Sequence, residues 1–397
     1  MNRRLTTRES GFSLVEMMVS IALGAVILAA AVQMYTKSLA ATWMVDQRAE
    51  MQEDFRAASN MMTKDLSLAG AGLGNGAAIA LQSTANPQYG CDQTPTCYIN
   101  GVAGLYPKNG ATAYMYGLIP GYNKGPILNA TQGPTDVVTT IYTDSNFYLN
   151  CYNPQITAKG VVTFSQPVSP NTWASEGCLP NPITTPQAPN DLAAGLTIGD
   201  VVLMTLGGKT IVAEVTGAVT TTGAGSTMKY LVPFADGDTL KLNQTGAGTG
   251  LNGANLNAAG TSSAAPCGSQ GPCRLMIVTY YIDNTNTASP RLMRQISGHT
   301  PMPVAENIAW MKFSYDLFND STLAYCTNQP NPGSGDANDT CSNGLIPNQI
   351  TKINILNMAI NSTQMGSQFG LGFGYQRMDL QTSVCARNLT YNNNYPN

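Results

Sequence analysis

The sequence predicts an α+β protein: a long N-terminal helix, transmembrane and then amphipathic, followed by a β-rich, loop-rich head containing disulfides. Three observations carry this expectation. An apolar run follows Gly11 as far as Tyr35 with Glu16 as its only charge, and no proline interrupts residues 12–68. From about residue 77, short β-branched runs alternate with Gly, Asn, Pro and Ser turns, the pattern of strands and loops. Nine cysteines all lie beyond residue 90.

The helix comes first. Residues 12–36 are long enough to cross a bilayer, which takes about 20 helical residues. Arg3, Arg4 and Arg8 precede the run, so the first residues are expected to stay cytoplasmic. Gly24 and the many alanines allow close approach of neighbouring helices. A carboxylate in a membrane helix costs roughly 2.5–3.5 kcal/mol near the bilayer centre and less toward an interface. Glu16 therefore calls for a partner, and no cation neighbours it in sequence. Residues 37–69 continue the helix into water. Met44, Met51, Phe55, Met62 and Leu66 recur at helical spacing on one face, while Asp46, Arg48, Glu50, Glu53, Arg56 and Lys64 supply polar faces. Unbroken, the helix would be about 85 Å long at about 1.5 Å per residue. Packing of the Met/Phe stripe against the protein's own head is favoured over a purely intersubunit seam. Gly70, Gly72, Gly74 and Gly76 end the helix. They do not form a phosphate loop, because they follow a helix and no Lys-Ser/Thr comes after them.

The stretch Gly11-Phe12-Ser13-Leu14-Val15-Glu16, with its basic leader and apolar run, resembles the class III signal of type IV pilins and type II secretion pseudopilins. The resemblance implies that a membrane peptidase, the prepilin peptidase, cuts between Gly11 and Phe12 and methylates the new Phe12 amine. Residues 1–11 are then the leader, and Glu16 becomes the fifth mature residue. It also implies that the freed amine of a neighbouring subunit sits beside Glu16, a pairing suited to fixing register more than to adding net stability. The alternative is an ordinary signal anchor with an incidental glutamate.

The head spans 70–397. Strands are expected at 136–142, 160–164, 200–206, 210–219, 228–233, 275–283, 291–295, 308–317, 349–360 and 376–387. Asn100-Gly101, Asn109-Gly110 and Asp236-Gly237 fit tight turns. Stretches 165–198, 243–272 and 328–342 read as surface loops or insertions. Several segments are similar to the large minor pilins called PilW: residues 65–70, Gly199-Asp200-Val201-Val202-Leu203, Tyr280-Tyr281-Ile282, Leu292-Met293-Arg294-Gln295, 304–315 and 384–388. Their common order adds specificity; the loops 77–135, 165–198 and 243–272 lie outside the resemblance.

Cysteine spacing suggests Cys91 with Cys97, Cys267 with Cys273, Cys326 with Cys341 and, across a longer loop, Cys151 with Cys178; eight paired cysteines allow 105 connectivities. So many cysteines suit an exported head in an oxidising compartment. Cys385 is left over and is expected to be buried in the last strand, with a bond to a partner subunit as the alternative. Metal binding by these cysteines fails on spacing, since no C-x-x-C occurs, and on partners, since His299 is the single histidine. Hence no metal or cofactor is expected. Asp236/Asp238 and Asp316/Asp320 offer oxygen ligands of the kind calcium takes, but lack the full loop pattern, so solvated turns are the default reading. Asn129, Asn243, Asn319, Asn338, Asn361 and Asn388 begin Asn-x-Ser/Thr triplets that arise by chance in an Asn- and Thr-rich chain.

Composition narrows the function. Charged residues make up 11% of the chain and the net charge is −3. Removing Arg3, Arg4, Arg8 and Glu9 with the leader takes away a formal +2, leaving the remainder near −5. No basic stripe calls for nucleic acid. One histidine leaves little for a Ser-His-Asp arrangement, so an enzyme is not expected. The resemblance implies a minor pilin, a structural subunit that helps initiate type IV pilus assembly and sits at the tip. It waits in the bacterial inner membrane with its head in the periplasm, and moves to the extracellular pilus on assembly. Its partners would be other minor and major pilins, the prepilin peptidase, the inner-membrane assembly platform and the membrane. The competing readings are a type II secretion minor pseudopilin, a pilus-tip adhesin and, more remotely, an enzyme on a pilin-like anchor.

Overall fold

A computed structural model describes residues 11–73, 78–81, 87–91, 97–100, 106–107, 113–158, 160–165, 187–206, 209–243, 272–319, 324–330, 347–363 and 374–389. The chain divides into two compact units. One comprises Met1–Glu53 with Ser362–Gln376, the other Asp54–Asn361 with Arg377–Asn397. Helix α1, Leu14–Ser67, is 54 residues long and contributes to both.

In the first unit, α1 is exposed from Leu14 to Leu39, with apolar Val15, Ile21, Ile27, Leu28 and Tyr35 among its exposed side chains. Ala40, Trp43 and Met51 are buried. Arg48 Nε donates to Gln376 Oε1 at 3.2 Å. The backbone N–H of Gln376 in turn donates to Ser362 Oγ at 2.9 Å.

The second unit begins with the last turns of α1, whose Phe55, Ala58, Met62 and Leu66 are buried. The expected stripe is thus filled out by Ala58 and by a polar member, Asp65, which is also buried. The helix ends where Gly70 adopts a left-handed φ of 78° and donates its N–H to Ile141 O at 2.9 Å. The backbone of Gly117 lies so close that a Cβ there would stand 2.5 Å from Gly70 Cα. Two glycines therefore let the helix exit meet the sheet.

The core of this unit is a seven-stranded sheet. Lys209–Glu214, Val201–Leu206, Cys273–Asp283, Arg291–Ile296 and Met302–Ala305 lie side by side in that order. Val137–Thr143 pairs with Cys273–Asp283 and with Leu118–Gly121. All pairings are antiparallel. The hairpin Val201–Glu214 shows why its sequence runs almost continuously apolar. Val201, Leu203 and Val212 belong to one core with Ile99, Ile141, Leu275 and Tyr281. Val202, Met204, Ile211 and Ala213 belong to a second core with Phe164, Tyr230 and Val232. A period of two that is buried on both faces leaves no polar alternation to read.

That second core is closed by a four-stranded sheet, Asn153–Ala158, Val161–Ser165, Lys229–Pro233 and Thr220–Thr222. A further antiparallel sheet carries the C-terminal part, in the order Ala324–Gln329, Ile308–Asn319, Ile350–Asn361, Arg377–Cys385. A hairpin of Gln88–Cys91 and Cys97–Asn100 is closed by a Cys91–Cys97 disulfide.

Most expected strands occur within a residue or two of their bounds, and four expectations change. The strand at 210–219 stops at Glu214, because the chain then leaves the central sheet: Thr216 N–H donates to Pro233 O at 2.9 Å. Asp236-Gly237 is a bend with Gly237 at φ 92°; no strand follows it directly, so it is not a hairpin turn. The stretch 77–135 is not simply loop, since it supplies the disulfide hairpin and the strand Leu118–Gly121. Cys385 is exposed rather than buried. It sits at the end of an edge strand whose neighbour Val384 takes the inward face, and alternation sends Cys385 outward. Gly101, Asn109-Gly110, Gly74 and Gly76 and most of 165–198, 243–272 and 328–342 lie outside the described residues.

Candidate functional site

The candidate site is the head of α1. Residues 11–13 are non-helical and the helix begins at Leu14. Ser13 is its N-cap. Its carbonyl accepts the Met17 N–H at 3.1 Å and its Oγ accepts the Glu16 N–H at 3.4 Å. Reciprocally, the Ser13 N–H donates to Glu16 Oε2 at 2.9 Å. This is a capping box, in which two otherwise orphaned donors are satisfied by each other's side chains. Glu16, in sequence a carboxylate without a neighbouring partner, thus has a local one in the Ser13 amide. The signal was present as Ser-x-x-Glu ahead of an apolar run. A lone carboxylate points first to a cation, and the backbone N–H three residues before it is the partner that charge alone does not reveal. Phe12 is exposed, and among the described residues a Cβ on Gly11 would meet nothing within 4 Å.

Among the described residues, α1 is the one helix long and apolar enough to cross a membrane. None of its most apolar window is buried within the chain. An exposed apolar helix costs free energy in water at about 25 cal/mol per Å² of apolar surface; lipid or other helices are the environments that remove that cost.

The head offers acidic clusters, each engaged internally. Asp65 accepts from Arg294 Nε at 2.7 Å and from Tyr280 OH at 2.6 Å. Burial pushes the Tyr142 hydroxyl up to about 12, and the nearby Asp65 charge adds to the shift. Asp238 accepts the Leu242 and Asn243 N–H groups, so its carboxylate is turned inward to its own loop, whereas a calcium turn would present it outward. Glu214 accepts the Thr239 and Leu240 N–H groups at 3.2 and 2.8 Å. Burial, reinforced by the charge of Asp238, pushes its carboxyl up to about 7. His299 Nε2 lies 3.0 Å from Asp200 Oδ1. Burial pushes Asp200 up, but the His299 bond, the Thr197 N–H and the Arg274 charge outweigh it and hold the carboxyl below the usual range. Asp316 accepts from Asn328 and Asn354, and Asp320 lies outside the described residues. Among the described residues no three His, Cys, Asp or Glu side chains gather as a metal site. Asn243 is fully buried, its amide donating to Glu214 O and Ala235 O.

Cys91 and Cys97 are bonded to each other, and Cys151, Cys273 and Cys326 are each disulfide-bonded as well. Their suggested partners Cys178, Cys267 and Cys341 lie outside the described residues.

Together these features define a class: a chain with one exposed, apolar N-terminal helix suited to anchoring in a membrane, and an antiparallel, disulfide-bonded head. Residues 6–32 match the family model described as a prokaryotic N-terminal methylation motif. The chain therefore carries a type IV pilin-like N-terminal signal on α1. No curated protein and no solved structure matches the chain.

Proposed function

We propose that this chain is a minor pilin of the PilW type, a non-enzymatic subunit that helps start type IV pilus assembly and sits at the filament tip. Prepilin peptidase removes residues 1–11 between Gly11 and Phe12 and methylates Phe12. The helix then leaves the inner membrane for a bundle of pilin helices, with Glu16 pairing the amine of a neighbouring subunit. The single observation that carries this reading is the head of α1: Glu16 is the one charged side chain among the exposed residues 14–36, inside the matched methylation motif. A bulky head suits an end position, because it is harder to repeat along a shaft. The order of the PilW-like segments along the chain supports the finer assignment.

The test is mass spectrometry of the mature N-terminus in cells with and without the peptidase. The reading expects N-methylated Phe12 only when the peptidase is present. A leader still attached in assembled fibres overturns it.

A further inference from the structure

Resting on the reading that the chain is cut between Gly11 and Phe12, we propose that Ser13 is a positioning residue for that cut. Its cap stops α1 at Leu14 and holds the scissile bond in non-helical chain.

Hydrolysis breaks the bond between the Gly11 carbonyl carbon and the Phe12 nitrogen. The hydroxyl of water goes to the Gly11 carboxyl and its proton to the Phe12 amine. The attacking water must approach the carbonyl carbon from outside the peptide plane. Within a helix, the neighbouring turns wall in that approach and the carbonyl oxygen is bonded along the axis. Only Phe12 and Ser13 separate the scissile bond from the first helical residue, so a shift of one turn in the helix start would take the bond into the helix.

The capping box prevents such a shift. To extend the helix upstream, the Ser13 N–H would have to donate to the carbonyl four residues before it. Instead it is spent on Glu16 Oε2 at 2.9 Å. The Ser13 Oγ occupies the Glu16 N–H at 3.4 Å, a donor the extended helix would need for the Phe12 carbonyl. The half of the box made by Ser13 Oγ does not use the Glu16 side chain, so it holds whether the Glu16 carboxylate accepts from the Ser13 N–H or turns to a neighbouring amine. The matched motif covers this whole segment.

The test is a time course of leader loss, by mass spectrometry, for the full chain in membranes containing the peptidase. The wild type is compared with Ser13→Ala, Ser13→Thr and Ser13→Asp. Alanine removes the cap, and cleavage is expected to slow about fivefold, as an N-cap loss implies. Threonine and aspartate both cap helices and are expected to stay within about twofold of wild type. Wild-type speed for Ser13→Ala overturns the inference. So does an aspartate variant as slow as alanine, which would mean the peptidase reads the hydroxyl itself. Wild-type chain that keeps its leader beside active peptidase instead removes the cleavage reading, and the inference with it.

Discussion

Arg294 Nε lies 2.7 Å from Asp65 Oδ2, an ion pair with side chains 19% and 4% exposed that joins the last turn of α1 to the strand Arg291–Ile296. The Tyr280 hydroxyl donates to the same oxygen from the adjacent strand. The Tyr142 hydroxyl on Val137–Thr143 donates to Oδ1 at 3.5 Å, so the helix end is registered on the sheet by one carboxylate with partners on three strands. Removing it leaves a guanidinium with no carboxylate in a largely desolvated site. Asp65→Asn is expected to cost about 3 kcal/mol, the low end for breaking one side of a buried pair. Urea unfolding of the full chain in detergent measures it, and a loss below about 1 kcal/mol would show the pair to be ornamental.

Glu214 sets a pH dependence. Its folded value, about 7, lies above the ordinary 4.5, so the folded state prefers it protonated. Its contribution is fully present below about pH 4.5 and is lost as pH rises through about 7, a change on the order of 3 kcal/mol. Asp238, also raised by burial, adds in the same direction. Asp200, held below 3.8, contributes stability that is lost only at strongly acid pH. Stability of the head is thus expected to fall between pH 5 and 8, and Glu214→Gln to flatten that slope. Unfolding curves at several pH values compare the two.

Tyr89 is fully buried, and its hydroxyl has no hydrogen-bond partner among the described residues. An unmade bond of this kind costs about 1–3 kcal/mol. Tyr89→Phe is expected to be neutral or stabilising by about 1 kcal/mol, whereas Tyr280→Phe, which removes a donor from Asp65, is expected to destabilise. The pair of midpoints in urea distinguishes the two tyrosines.

Cys385 is free and exposed. A thiol reagent added to the native chain is expected to label Cys385 without denaturant, and Cys385→Ser to abolish that label. Peptide mapping locates the modified residue; protection of Cys385 in the native chain would contradict the edge-strand placement.

Glu16→Ala keeps the bond from its own N–H to Ser13 Oγ but loses the carboxylate. It is expected still to lose its leader, slowed no more than the about fivefold that loss of a cap implies, yet to enter filaments poorly, at least tenfold below wild type if a charge pair worth about 1.4 kcal/mol or more is lost. Immunoblots of sheared filaments against whole membranes measure the ratio, and equal incorporation would remove the docking role.

The sequence alone determined what local chemistry can determine. A proline-free run with one charge makes a helix whichever head follows. Clustered glycines end it wherever they fall, and β-branched runs between turn residues make strands. Glu16 stood out because a lone carboxylate among apolar residues needs no tertiary context to be unusual. Cys91 and Cys97 could be paired because a separation of six positions makes each the most local partner the other has.

Only the tertiary structure decided which polar groups meet. Asp65 and Arg294 are separated by 229 positions, and nothing in either neighbourhood marks them as partners. The same holds for Glu214, whose position against a loop and beside Gly298, where a Cβ would stand 1.9 Å from Oε1, raises its proton affinity. Cys385 faces outward because Val384 takes the inward face of its strand, and which face is inward depends on what the sheet packs against. Helix and strand formation are read over a few residues, whereas burial, pairing and charge depend on contacts between residues distant in the chain.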